Sequence, residues 1–167
     1  MKNRVGSSLL SRVATEAALF LFFVAIAAFS TPFVAANTAE ATMRRETLTV
    51  HTKAGPHIIE IEVAETADEK AKGLMFRAKV ADGTGMLFPY GQPQEITMWM
   101  KNTYASLDML FIRGDGTIHR IETNTEPMSE RVIASEGPVT AVLELAAGAA
   151  AKLGIKPGDR VQHNAFK

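Results

Sequence analysis

The sequence predicts a mainly β domain: a compact β-sandwich or partly closed barrel of short strands, with two short helices. Three observations predict it. Apolar and polar residues alternate with period two in several short runs. Tight-turn residues (Gly, Pro, Asp) separate those runs at short intervals. Only two stretches carry helix signals, both short, and most connections are tight, which argues against an α/β fold.

Taken in order, Leu48 and Val50 alternate with Thr47, Thr49 and His51. Lys53-Ala54-Gly55-Pro56 turns the chain, and Ile59, Ile61 and Val63 then alternate with Glu60 and Glu62. Two alternating runs around a Gly-Pro turn predict a β-hairpin. Thr66-Ala67-Asp68-Glu69 is a capping box, which places a short helix over residues 67–72, with Gly73 ending it. Met86-Leu87-Phe88 reads as a short buried strand stopped by Pro89, followed by a turn over residues 90–93. Ile96 to Met100 reads as the next strand, with Ile96, Met98 and Met100 on one face and Trp99 on the other. Leu107–Ile112 and Thr117–Ile121 flank Arg113-Gly114-Asp115-Gly116 and predict a second hairpin. Residues 123–138 are polar and irregular, a long loop of the kind that often carries function. Val139–Leu145 is a strand, Ala147–Leu153 a short helix ended by Gly154, and Arg160–His163 a last strand after Lys156-Pro157-Gly158-Asp159. The count is seven or eight strands.

The chain of 167 residues holds room for one domain of ordinary size. An apolar fraction of 47% describes a foldable globular chain. There are no cysteines, so a disulfide framework, a thiolate zinc site and a cysteine nucleophile are all excluded. Lys2, Arg4 and Arg12 precede an unbroken apolar run from Ala17 to Phe29, then Ser30-Thr31-Pro32 and the small residues Val34-Ala35-Ala36. This charged start, apolar middle and small-residue exit predict a secretory signal over residues 1–36, with an uncleaved membrane anchor over residues 17–36 as the alternative. Residues 37–45 read as a linker and 46–167 as the domain. The expected location is periplasmic or otherwise extracytoplasmic, with anchoring to the inner membrane if the leader is retained. Beyond residue 36 the chain has 15 basic and 17 acidic side chains, so nucleic acid is not an expected partner and the membrane would be met only through the leader.

Gly73-Leu74-Met75-Phe76-Arg77, Gly85-Met86-Leu87-Phe88, Met98-Trp99-Met100-Lys101-Asn102-Thr103, Leu107-Asp108-Met109-Leu110-Phe111-Ile112 and Val142-Leu143-Glu144-Leu145 follow one another in order, with Gly148, Gly154-Ile155 and Gly158-Asp159 after them. In this order of motifs the chain resembles the DUF192 family, also called UPF0127, from about Glu46 to Val161. The resemblance implies an exported domain with a compact β-sandwich of jelly-roll type and leaves its biochemical role open. Ser106 stands where many members have Pro, which loosens the turn before Leu107.

Six residues are the candidate ligand-binding set: Arg77, Trp99, Lys101, Asn102, Asp108 and Glu144. Asp108 lies in a nearly unbroken apolar run, where an unpaired carboxylate costs several kcal/mol, so it needs a partner. Lys101, Asn102 and Arg77 are the candidates, and a structural pairing that pins the 101–106 turn is the plainer expectation. Glu144 has the same apolar surroundings. Two carboxylates in one cavity would allow acid–base chemistry if their environments split their pKa values, whereas strict alternation would turn Glu144 outward. Trp99 beside Lys101 and Asn102 offers a stacking platform for a flat ligand, or simply packs on the second sheet face. Arg77 suits a ligand carboxylate or Asp108.

No cofactor or metal is expected. A copper(I) site from Met98, Met100 and a histidine is the one alternative, yet His51, His57, His119 and His163 show no ligand spacing and methionines also fill cores. There is no GxSxG elbow, HExxH helix, P-loop, dinucleotide fingerprint or calcium loop. The sequence therefore points to an extracytoplasmic binding or accessory module for an unidentified small ligand. Its alternatives are a carboxylate-based hydrolase or lyase using Asp108 and Glu144, and a structural partner in an envelope protein complex with the 123–138 loop as interface.

Overall fold

The computed structural model describes residues 43–166. The expected hairpin forms from β1 (Arg44–Thr52) and β2 (Gly55–Val63), in register from Arg44 opposite Val63 to Thr52 opposite Gly55. β1 begins at Arg44, so Arg44 and Arg45 belong to the domain and not to the linker. Their pairing with β2 extends the ladder, and Arg44 also bonds Glu65 at 2.7 Å. α1 (Ala67–Lys72) carries the predicted capping box: Thr66 Oγ1 accepts from the Glu69 N–H, and the Glu69 carboxylate accepts from the Thr66 N–H.

The two short strands expected around residues 86–100 are one long strand, β3 (Thr84–Met98). The 90–93 stretch is a bulge inside it, where the register with its neighbour shifts between Pro89 and Gln94. Likewise the polar 123–138 stretch is only partly a loop, because β6 (Ile133–Ala146) takes its second half and accommodates Glu136-Gly137 as an irregularity. β4 (Leu107–Ile112) and β5 (Ile118–Glu122) make the second hairpin; α2 (Ala149–Leu153) and β7 (Arg160–Gln162) end the domain.

These seven strands form one mixed sheet in the order β5-β4-β6-β3-β2-β1-β7. Only β2 and β3 run parallel, joined across α1. The sheet curls until its two edges meet. Thr117, just before β5, bridges Arg160 of β7, the Val161 N–H donates to the Gly116 carbonyl at 2.8 Å, and the Ile118 N–H donates to the Asp159 carbonyl at 2.9 Å. The mainly β expectation is met, and because the sheet is continuous it takes the form of a partly closed barrel.

Curling gives the sheet two apolar faces. Leu48, Val50, Ile59, Ile61, Leu143 and Val161 are among those filling the inside. Met86, Phe88, Met109, Phe111 and Val142 form a second cluster on the outer face, covered by Leu74, Met100, Ala105 and Ile133. An outer layer of loops therefore lies on β3, β6 and β4, the central part of the sheet. This explains why these strands read as continuous apolar runs: both of their faces are dry. Gly85 lets β3 and β6 pack closely, since a Cβ there would lie 2.6 Å from the Glu144 carbonyl oxygen.

Candidate functional site

The pleat decides which candidate residues meet. Met86 of β3 and Met109 of β4 both pair with Glu144 of β6, so these three side chains share the outer face. Asp108 pairs with Leu145 and points inward. The two carboxylates expected to share a cavity lie on opposite faces of the sheet. A single-residue step in register is enough to produce this, because successive side chains on a strand alternate.

Asp108 is fully buried and its partners are backbone groups, not Lys101, Asn102 or Arg77. Its Oδ1 accepts from the Asn124 N–H and its Oδ2 from the Ala150 N–H, both at 2.9 Å. Ala150 lies in the first turn of α2, whose N-cap, Gly148, has no side chain to bond the free N–H groups. Asp108 supplies the missing acceptor from a distant strand, with its negative charge at the favourable end of the helix. These bonds tie α2 and the β5–β6 connection to β4, and none reaches the 101–106 turn.

Arg77 is also engaged elsewhere. It makes a two-pronged pair with Glu62 on the outer side of β2, at 2.9 and 2.7 Å. That guanidinium holds the Glu62 carboxyl below the usual carboxylate range, against the opposing effect of partial burial. The pair lies in a groove of about 620 Å³ that also contains Arg45 and Lys79. The groove is large, but its central charges already satisfy each other.

Glu144 differs from both. It is 4% exposed, on the central strand, and no hydrogen bond or ion pair reaches its carboxyl group among the described residues. Burial, with nothing to offset it, pushes its pKa up to about 8. The carboxyl lies at a cavity of about 110 Å³. Phe88, Tyr90 and Trp99 give this cavity aromatic surface, and Met75 and Met98 give it thioether surface. Lys70 and Lys72 of α1 complete one side. Tyr90 donates from its hydroxyl to Met98 Sδ at 3.7 Å, and its pKa is raised, first by burial and then by the neighbouring Glu144.

The backbone next to the lining residues Met75 and Thr103 is unusual. Phe76, Asn102 and Met128 all have positive φ, at 63°, 55° and 62°. For bulky side chains this conformation is disfavoured and persists only where surrounding contacts impose it. Here the Phe76 N–H donates to the Asn102 carbonyl at 2.8 Å and the Met128 N–H to the Thr103 carbonyl at 3.0 Å. The result turns Phe76, Tyr104 and Met128 outward, with the Phe76 and Tyr104 rings edge-to-face at 6.3 Å. Trp99 is half exposed and does not pack on the second sheet face, because β3 ends at Met98. Lys101 sits over its ring at 5.2 Å. Asn102 donates to Met75 Sδ at 3.9 Å.

Of the six candidates, then, Glu144 and Trp99 line one cavity, Lys101 and Asn102 stand at its edge, and Arg77 and Asp108 are elsewhere. Lys70, Lys72, Tyr90 and Thr103 were missed. A partial signal existed: Met86, Phe88 and Tyr90 alternate, which places Tyr90 on the face of Met86 and hence of Glu144. The copper(I) set does not assemble. Met98 Sδ takes the Tyr90 hydroxyl, Met100 Sδ takes the Thr125 hydroxyl, and no histidine lines the cavity. The histidines bond Gln162, Thr52, Arg113 and Glu46 instead.

Comparison with solved structures finds two similar proteins. A crystal structure described as a "putative transcription regulator" from Sinorhizobium meliloti 1021 shares 43% identity at a TM-score of 0.72, covering 75% of this chain and 98% of that one. A protein of unknown function from Novosphingobium aromaticivorans DSM 12444 shares 41% identity at a TM-score of 0.71, covering 74% of this chain and 88% of that one. No match was found among curated proteins. The family model DUF192, described as "Uncharacterized ACR", matches residues 48–163, which is nearly all of the barrel from β1 to β7. The chain belongs to the DUF192 family.

Proposed function

We propose that this chain is an extracytoplasmic binding module whose small-ligand site is the Glu144 cavity. One observation carries the reading: a buried carboxyl group without a protein partner faces a cavity walled by aromatic rings and thioethers. An unsatisfied polar group in such a place costs stability and serves no packing purpose. Concave, mostly apolar sites with a few convergent polar groups and a perturbed pKa are the usual form of small-ligand sites. The leader over residues 1–36 supports export; it lies outside the described residues. No helix among the described residues is long and apolar enough to cross a membrane.

An enzyme built on Asp108 and Glu144 has no geometric support, since the sheet separates them. The Sinorhizobium description does not point this chain toward nucleic acid. Arg44, Arg77, Arg120 and Arg131 are each paired with glutamates, so these charges are not available as an open phosphate-binding stripe.

Titration of the purified protein with sugars, small acids and amines, followed by intrinsic fluorescence, tests the site. Trp99 is the only tryptophan, so its emission reports on the cavity wall. A saturable change that disappears in Glu144→Leu supports the reading. A response that survives this substitution places the ligand elsewhere. Export is checked separately, by which cell fraction holds the expressed full chain.

A second reading has its own observation. Phe76, Tyr104, Met128 and Val132 are each at least half exposed, which suits a protein partner in the envelope. Phe76→Ser with Met128→Ser would then abolish complex formation with that partner and leave the small-ligand titration unchanged.

A further inference from the structure

The charge around the cavity narrows the ligand class. Among the described residues, the titratable groups that line the cavity with Glu144 can be named. Lys70 and Lys72 come from α1, Tyr90 from β3, and β4 contributes only the apolar Met109 opposite it. Lys101, from the loop after β3, lies over Trp99 and pairs with Glu130 at 3.4 Å. Among the described residues, no second acidic residue lines the cavity. With Glu144 protonated at neutral pH, Lys70 gives the lining a positive charge.

A cavity with a carboxylate and aromatic walls would ordinarily suit an ammonium ligand held against the ring faces. Here the protein's own cations occupy the rings that such a ligand would use. Lys70 Nζ lies 5.1 Å from the Tyr90 ring centre and Lys101 Nζ lies 5.2 Å from that of Trp99. An incoming cation would meet like charge at both. An incoming anion would meet opposite charge, and Lys70 has donor capacity left after its bond to the Glu65 carbonyl. A protonated carboxyl can donate, and the strongest acceptor for it is a carboxylate, through a short charge-assisted O–H···O⁻ bond.

Resting on the binding reading above, we propose that the cavity takes the carboxylate of a small organic acid, which accepts a hydrogen bond from the Glu144 carboxyl while Lys70 balances its charge. A volume of about 110 Å³ admits the carboxylate and a short chain; any longer part of the ligand projects past Trp99. Binding moves no proton while Glu144 is protonated. Above its pKa the site must take up one proton to bind. The apparent affinity follows the protonated fraction, so it falls about tenfold between roughly pH 6 and pH 9.

The test uses three probes of similar size and different charge: acetate, acetamide and propylammonium. Each is titrated into the purified protein at acidic and alkaline pH, by calorimetry and by Trp99 emission. The expected result is saturable acetate binding near pH 6 that weakens about tenfold near pH 9. Glu144→Gln, whose amide can donate in place of the carboxyl, keeps acetate binding but loses the pH dependence. Lys70→Gln weakens acetate binding at every pH. Propylammonium binding that strengthens with pH, or binding of acetamide alone, overturns the acid class and leaves the cavity as the ligand site. Acetate binding that is indifferent both to pH and to Glu144→Gln overturns the proposed role of Glu144. No response to any probe from a folded protein overturns the binding reading as well. If Glu144→Gln fails to fold, the pH profile of the wild-type protein decides.

Discussion

Replacing Glu144 by Gln should change how stability depends on pH, even with no ligand present. In the unfolded chain this carboxyl titrates near its ordinary value of 4.5, whereas burial in the folded protein raises it to about 8. The folded state thus holds a proton that the unfolded state releases. For a raised acid, stability is fully present below 4.5 and is lost progressively as pH rises through 8. A shift of about 3.5 units at 1.36 kcal/mol each is roughly 5 kcal/mol over the whole window, of which about 3 kcal/mol is already lost at pH 7. Gln cannot ionise. It leaves a buried amide without a partner, a cost of about 1–3 kcal/mol that is the same at every pH. The variant should therefore lie at or below the wild type near pH 5 and above it at pH 8 and beyond. With a urea slope of about 2 kcal/mol/M, the wild-type midpoint should drop by about 1.5 M between roughly pH 4.5 and pH 7, relative to the variant. The readout is urea unfolding of both proteins across this range, followed by circular dichroism. Taking the difference between the two profiles removes the contribution of every other titrating group. Parallel profiles would refute the buried, unpaired state of Glu144 and, with it, the electrostatics assigned to the cavity.

Three further substitutions test the framework around the site. Asp108→Asn keeps one acceptor but aims an amide N–H at a second backbone N–H, so it should cost about 2–4 kcal/mol; hydrogen exchange should show lost protection at the Ala150 and Asn124 amides, and full stability would refute the capping role. Gly116→Ala combines a φ of +83° with a Cβ placed 2.3 Å from the Val161 carbonyl oxygen, so the junction between the sheet edges should open. Its signature is loss of amide protection at Val161 and Ile118 before any loss elsewhere. Thr66→Ala removes the hydroxyl of the capping box and should cost about 1 kcal/mol in thermal or urea unfolding, with the ligand titration unchanged.

Much of the fold is legible in the residues because its signals are local. Alternation over Leu48–Val50 and Ile59–Val63, the capping box at Thr66–Glu69 and the turn at Gly114–Gly116 each depend on neighbours a few positions apart, and each appears where the sequence places it. The boundaries that moved are those set by distant pairing. Pro89 and the Gly91 turn look like a break, yet β6 pairs with β3 on both sides of them and makes one bulged strand. Residues 133–138 look irregular, yet they complete that same ladder.

For the candidate site the division is sharper. From the sequence alone, Asp108 and Glu144 are alike: each is an acid in an apolar strand that needs an explanation. The apolar neighbours mark Asp108 as an acid that needs a partner, leave Glu144 open between a cavity and an outward turn, and place Trp99, Lys101 and Asn102 close together in the chain. Only the tertiary structure decides that Leu145 opposes Asp108 while Met109 and Met86 oppose Glu144. That register turns one carboxyl inward onto the N–H groups of Ala150 and Asn124, and the other outward into a cavity with no partner. The physical reason is that a strand's side chains alternate with a period of two, whereas its register is set by loops and partners tens of residues away.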